Sequence, residues 1–147
     1  KAWRRFLLRL FGAQLGRNVR VCASCRIWAP WNLSVGDNST MGDFVDCYSV
    51  AQVTLGANSI ISQYTYICAA THDYGDSSFP LVPKPIFVGD DVWVAAGAYL
   101  SPGIRVNDGA IVGAKACVYK DVPANTVVGG NPAKYIKDRL MGDHANH

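Results

Sequence analysis

Between Val35 and Val122 apolar side chains return every six residues. An aliphatic residue opens each hexad and a small or branched one stands four places later. The pairs are Val35 with Ser39, Leu55 with Ser59, Ile61 with Thr65, Ile67 with Thr71, Val88 with Val92, Val94 with Ala98, Leu100 with Ile104, Val106 with Ala110, Val112 with Ala116, and Val118 with Val122. Neither a helical period of 3.6 nor a strand period of 2 keeps this phase, whereas a hexapeptide β-solenoid does. One hexad makes one side of a triangular coil and three make a turn. The opener and the small residue point inward, where stacked copies bury one another. Gly36-Asp37-Asn38, Gly56-Ala57-Asn58 and Gly89-Asp90-Asp91 supply residues that tolerate corner backbone angles. A sandwich of short strands joined by Gly turns would not hold one phase through so many repeats.

Counting phase locates the departures. Leu15, Val21 and Ile27 open a degenerate first coil with Val19 and Cys25 at the small positions, and two extra residues precede Val35 and again Leu55. Phase is then lost from Asp73 to Phe87, a polar, proline-bearing segment of the kind that carries function when it interrupts a regular scaffold. The expected organisation is an N-terminal helix over residues 1–14, an all-β solenoid of about five coils over 15–128 with its loop at 73–87, and a C-terminal extension over 129–147. Gly130-Asn131-Pro132 should turn the chain off the last coil and set Lys134 and Lys137 beside its end. In the first segment Trp3, Phe6, Leu7, Leu10 and Phe11 fall at helical spacing, with Arg4, Arg5 and Arg9 elsewhere. Such an amphipathic helix caps the open end of the prism or packs on a neighbouring subunit; alternatively it lies on an anionic membrane surface.

The chain has 147 residues, half of them apolar and 17% charged, which suits one compact domain that leaves few charges for its surface. A thin prism with apolar sides wants partners. A net charge of +3 with no basic and aromatic array argues against nucleic acid. No apolar run is long enough to span a membrane, and no cleavable signal is visible. Because the sequence starts at Lys1 without Met, further residues are expected upstream. Cys22, Cys25, Cys47, Cys68 and Cys117 are odd in number, and the Cys22-x-x-Cys25 pair has no second pair at zinc-binding spacing. They read as packing residues, and free thiols fit a reducing cytoplasm, including the inner face of its membrane.

Several stretches together resemble the hexapeptide-repeat acetyltransferases: the hexads, Ala70-Thr71-His72-Asp73-Tyr74, Val88-Gly89-Asp90-Asp91-Val92-Trp93-Val94, and Gly129-Gly130-Asn131-Pro132-Ala133-Lys134. Within that family the chain is most similar to the branch of galactoside, maltose and nodulation acetyltransferases. Ile27-Trp28-Ala29-Pro30-Trp31-Asn32 and Val45 to Ala51 add a likeness to the colanic-acid-biosynthesis type. The resemblance covers about Trp3 to Lys137. It implies a left-handed parallel β-helix, a homotrimer, and transfer of an acetyl group from acetyl-CoA to a hydroxyl of a sugar or saccharide precursor, with no metal.

Direct transfer needs a base for the hydroxyl proton, and an imidazole, with an ordinary pKa near 6.5, suits neutral pH. His144 and His147 lie in the tail, which leaves His72 at the break as the catalytic candidate. The resemblance implies a coenzyme edge at Ala96 and Ala114, where small side chains admit the pantetheine arm. It implies an aromatic near the reacting groups at Trp93, and basic residues for the nucleotide phosphates at Lys134 and Lys137. Trp93 also reads as filler of a subunit seam, the lysines as solvated charges, and Tyr119 stands where relatives carry a smaller hydroxyl residue near the adenine. On the acceptor side Asp46, Asp73, Tyr74 and Phe79 are candidates, Asp46 reading equally as a corner residue. Competing functions are a non-sugar acceptor such as an antibiotic or serine, a non-enzymatic scaffold, and a carbonic-anhydrase-like zinc enzyme, which needs three histidines where the solenoid has one.

Overall fold

Helix α1 (Ala2–Leu10) leads into coils of three short strands each in a computed structural model that describes residues 2–142. The first coil is β1 (Gln14–Leu15), β2 (Arg20–Val21) and β3 (Arg26–Ile27), the second β4 (Leu33–Val35), β5 (Thr40–Met41) and β6 (Asp46–Tyr48), and the third β7 (Val53–Leu55), β8 (Ile60–Ile61) and β9 (Tyr66–Cys68). An antiparallel ribbon, β10 (Ala70–His72) and β11 (Leu81–Pro83), then leaves the prism. The fourth coil is β12 (Ile86–Val88), β13 (Trp93–Val94) and β14 (Tyr99–Leu100), and the fifth β15 (Arg105–Val106), β16 (Ile111–Val112) and β17 (Cys117–Val118). A sixth begins with Val122, bridged to Val106, and β18 (Thr126–Gly129), against which β19 (Lys134–Asp138) folds back antiparallel.

Like-numbered sides stack as three parallel sheets: face A (β1-β4-β7-β12-β15), face B (β2-β5-β8-β13-β16-β18) and face C (β3-β6-β9-β14-β17). The openers form vertical files, as in Leu15, Val35, Leu55, Val88 and Val106 on face A. The small positions are likewise inside, Ser39, Ser59 and Thr65 being fully buried. Each buried hydroxyl is satisfied by the next coil: Ser39 Oγ donates to Gly56 O at 2.6 Å, Ser59 Oγ to Gly89 O at 2.8 Å, and Thr65 Oγ1 to Ala95 O at 3.2 Å. Cys25 and Cys47 are core residues, all five thiols are free, and burial pushes the Cys25 thiol up to about 12.

Four expectations change. Thr71 is not an inward residue: it is half-buried and pairs with Val82 in the ribbon, while Val53 and Ile86 fill the core at the start of their coils. The loop ends at Pro85, because Ile86 and Phe87 already pair with Val53 and Thr54. The solenoid has five complete coils and the start of a sixth. At the corners Asn38, Asn58 and Asp91 take the left-handed backbone (φ 60°, 55° and 55°), whereas Gly36 serves close approach. A Cβ on Gly36 would lie 2.6 Å from the backbone at Gly56 and Ala57 in the next coil.

Helix α1 caps the open end, and its arginines face the coil. Val35 O, Ser39 O and Val45 O each accept an N–H from the first coil. Their counterparts Leu15, Val19 and Cys25 have no coil below them. Arg9 Nη2 donates to Leu15 O at 2.9 Å, Arg5 Nη1 to Val19 O at 3.4 Å, and Arg4 Nη2 to Cys25 O. Leu8 is buried, but Trp3, Phe6, Leu10 and Phe11 remain exposed.

The stacked corner predicts a specific sensitivity. Gly36→Ala should cost about 1–3 kcal/mol through overpacking against backbone that has nowhere to move. Gly142→Ala, with no described residue within 4 Å of the added methyl, should change stability by less than about 0.5 kcal/mol. Denaturant melts of both variants check the difference.

Candidate active site

His72 ends β10, the strand that carries the chain off the prism. Ala70 anchors the ribbon in the core, and Asp73 N donates to Pro80 O at 3.0 Å to close it. The tip is built from side-chain turns. Asp73 Oδ1 accepts from Gly75 N at 2.9 Å, and Asp76 Oδ1 accepts from Ser78 N at 2.9 Å and Ser78 Oγ at 2.8 Å. The amide and hydroxyl of Ser78 hold the Asp76 carboxyl below the usual carboxylate range.

Phe79 adopts φ 47°, a left-handed conformation that a bulky residue rarely takes without a reason. Its carbonyl oxygen lies 2.7 Å from His72 Nδ1. A carbonyl can only accept, so this bond puts the imidazole proton on Nδ1 and leaves the Nε2 lone pair free. The exposed ring is thus fixed in the tautomer able to take a proton from a ligand.

The other residues singled out in the sequence are distributed over several elements. Asp73 and Phe79 share the ribbon tip with His72, and Tyr74 beside them is 90% exposed. Ala96 and Ala114 follow β13 and β16 at equivalent places in adjacent coils, with Lys115 N donating to Ala96 O at 2.8 Å. Trp93 is half-exposed on face B, its indole Nε1 donating to Ser62 Oγ at 2.9 Å. Tyr119, exposed, follows β17 with its ring centre 6.1 Å from that of Tyr99. Lys134 and Lys137 are exposed on β19 opposite Gly129 and Val127. Asp46 is a strand residue rather than a corner one, on the outside of face C, 3.6 Å from Arg26. His144 and His147 lie outside the described residues.

Three of the clefts on the described surface have volumes of about 490–700 Å³, and His72 lines none of these three. The outsides of the three faces differ, however. Face A shows Gln14, Ser34, Thr54 and Arg105, with the Arg105 guanidinium 4.3 Å above the Phe87 ring. Face B shows Ile60, Trp93, Ile111 and Val127 above Arg20 and Thr40, and face C shows Tyr66 and Tyr99 above the Arg26–Asp46 pair, with Tyr48 beside them. Burial and the adjacent Cys68 thiol push the Tyr66 phenol up to about 12 and raise that of Tyr99 as well, so these two phenols are uncharged at neutral pH. The sequence reading missed this tyrosine file and Ser62. Continuing the hexad count to the position before each opener would have exposed both Tyr66 and Tyr99.

No family model matches the chain. It is 44% identical over 138 residues to WcaF of Escherichia coli (strain K12), which is named as a colanic acid biosynthesis acetyltransferase; the alignment covers 94% of this chain and 76% of that protein. Among solved structures it superposes on a maltose O-acetyltransferase from Clostridium difficile 630 with a TM-score of 0.87, at 29% identity, over 94% of this chain and 75% of that one. It matches a hexapeptide-repeat acetyltransferase from Vibrio cholerae O1 biovar eltor, crystallised with acetyl coenzyme A, with a TM-score of 0.90 at 26% identity, covering 95% and 78%. With its uninterrupted files of hexad openers, its His-bearing ribbon at the third coil and this degree of likeness, the chain belongs to the hexapeptide-repeat acetyltransferases, in the group of the colanic acid biosynthesis enzyme, and shares their left-handed β-helix.

Proposed function

We propose that the protein transfers an acetyl group from acetyl-CoA to a hydroxyl of a sugar or saccharide precursor, in a ternary complex, with His72 as general base. The observation that carries the role of His72 is the 2.7 Å bond from its Nδ1 to Phe79 O, which leaves Nε2 as a fixed, exposed acceptor. His72 Nε2 takes the hydroxyl proton as the acceptor oxygen bonds to the acetyl carbonyl carbon. The imidazolium then returns that proton to the sulfur as the carbon–sulfur bond breaks. No covalent enzyme intermediate is required.

Coenzyme binding is assigned to the edge beside Ala96 and Ala114, whose small side chains leave room for a thin pantetheine arm. Trp93, pinned by Ser62, stands near the reacting groups. Lys134 and Lys137 on β19 supply point charges toward phosphates, without the paired bonds an arginine would make. Tyr119 flanks the adenine end. Asp46, Asp73, Tyr74 and Phe79 form the acceptor side, polar groups reading hydroxyls and aromatic rings covering a sugar face.

The assembly is a homotrimer in which the apolar stretch of face B from Ile60 to Val127 meets the Tyr66 and Tyr99 stretch of face C of the next subunit, and polar face A stays in water. Two different faces joined head to tail close into a ring under threefold symmetry. The seam completes the site, since none of the three clefts described above includes His72. Light scattering should give about three times the 15.9 kDa chain mass. A clean monomer at micromolar concentration sinks the seam.

Two kinetic tests follow. His72→Ala should lower kcat by roughly 10²- to 10⁴-fold with coenzyme affinity retained. The wild-type rate should climb through one ionisation and level off, because protonated imidazole cannot accept the proton; the residual rate of the variant should keep rising with pH as hydroxide replaces the base. Free-thiol release across sugars, serine and an antibiotic hydroxyl, in both proteins, reads the acceptor class at the same time. A folded variant keeping more than about a tenth of kcat contradicts the assignment. Replacing both Lys134 and Lys137 with Ala should weaken coenzyme A binding and flatten its salt dependence while leaving turnover at saturation nearly unchanged. Calorimetry with equal affinities would return these lysines to solvent.

A further inference from the structure

The base of the prism combines two features that the transfer reaction does not use. Trp3, Phe6 and Leu10, at helical spacing on α1, are 67%, 53% and 65% exposed. Phe11 and Trp31 extend this surface, Trp31 lying against Gly12 where the chain leaves the helix. Large apolar groups occupy the outer side of the helix because the first coil's unpaired carbonyls draw Arg4, Arg5 and Arg9 to the inner side. Exposed clusters of this kind on a soluble chain mark an interaction surface.

Charge is concentrated at the same end. The first 36 residues hold seven of the chain's 14 basic residues and none of its 11 acidic ones; Asp37 is the first acid. Arg17 and Arg26 are offset by Asp37 and Asp46, but Arg20 makes no ion pair among the described residues. Arg20 lines a cleft of about 550 Å³ with Arg4, Arg5, Asn18, Cys22 and Asp43 between α1 and the foot of face B, three guanidinium groups against one carboxylate, which accepts from Ser24 Oγ at 2.6 Å. Arg4 Nε, buried there, has no hydrogen-bond partner among the described residues. An aromatic and aliphatic stripe beside an arginine-lined cleft complements an anionic lipid surface, where rings sit at the headgroup level and phosphates meet guanidinium groups.

We infer that the basal end of the protein, helix α1 with the arginine cleft, docks on an anionic lipid bilayer. Trp3, Phe6 and Leu10 insert at the headgroup boundary, and the cleft formed by Arg4, Arg5 and Arg20 receives lipid phosphates. Resting on the trimer proposed above, the geometry is multivalent: cyclic symmetry points all three prism axes the same way, so three helices face one plane. The His72 ribbon, inserted after the third coil, would stand above that plane.

Vesicle sedimentation of the full chain tests this. With phosphatidylcholine vesicles containing about 30% phosphatidylglycerol the protein should pellet, with a blue shift of tryptophan emission. Pure phosphatidylcholine should retain at least about tenfold less, and raising salt to several times physiological should release the protein. Trp3→Ser/Phe6→Ser/Leu10→Ser and, separately, Arg20→Glu should each lower binding at least about tenfold while acetyl transfer to a soluble acceptor is unchanged. That activity arm separates failure of docking from failure of the acetyltransferase reading. The inference is overturned if neither vesicle pellets the protein, if the triple variant binds as well as the parent, if the triple variant changes the oligomer mass, which gives the stripe to a second copy, or if inorganic phosphate at constant ionic strength releases the protein.

Discussion

Every coil in this protein takes its backbone hydrogen bonds from the coils above and below, so no coil is stable alone and the two ends of the stack decide how the molecule finishes. A closed barrel has no edges, but a solenoid must leave two, each a template for pairing with another chain. At the base the carbonyls of Leu15, Val19 and Cys25 lack the N–H groups of a preceding coil, and three arginine side chains take that place. At the top β19 folds back along β18 and supplies the missing partner from the same chain. Both caps bring cations to the ends, and that places Lys134 and Lys137 at one end and the arginine cleft at the other.

The same stacking rule explains the core. A prism one side chain deep tolerates only a repeating choice, aliphatic at the opener and small four places on, because each residue is packed by its copies above and below. Gly36 meets Gly56 across a gap that no Cβ fits, and Ser59 is buried without penalty only because Gly89 O lies within reach. A change in one coil is therefore transmitted to its neighbours, which is why insertions appear at corners and never within a side. Among the described residues the ribbon after β9 is the largest of these, and it carries His72 off the prism.

What could be read from the sequence divides along the same line. Files such as Leu55, Val88 and Val106 were legible because burial of a stacked position dictates residue type. Thr71 was misread because one more small residue happened to keep the phase after the chain had already turned into the ribbon. Ile86 and Phe87 fall in the loop by hexad count because the phase resumes only at Val88, although their strand begins two residues before its opener, as β7 does at Val53. Amphipathicity announced the helix without telling which side would face the coil. That depends on unpaired carbonyls, which carry no letter in the sequence. For the same reason the sequence singles out His72 by its position but not the Phe79 carbonyl to which its Nδ1 is bonded.

The division also bears on where chemistry can reside in a fold this regular. Most outward positions sit on flat sheets and cannot surround a ligand, so a single prism offers edges and faces but few pockets. Enclosure has to come from an insertion or from a second subunit. The ribbon supplies a fixed imidazole whose tautomer is set by one backbone oxygen. The Tyr66 and Tyr99 stretch of face C and the Ile-Trp-Ile-Val stretch of face B are unlike surfaces, and in the trimer proposed above unlike surfaces joined head to tail close a ring. A reactive group raised on an insertion beside such a seam gains a cavity only upon assembly. On the homotrimer proposed above, the regularity that makes the scaffold rigid would also set its site between subunits.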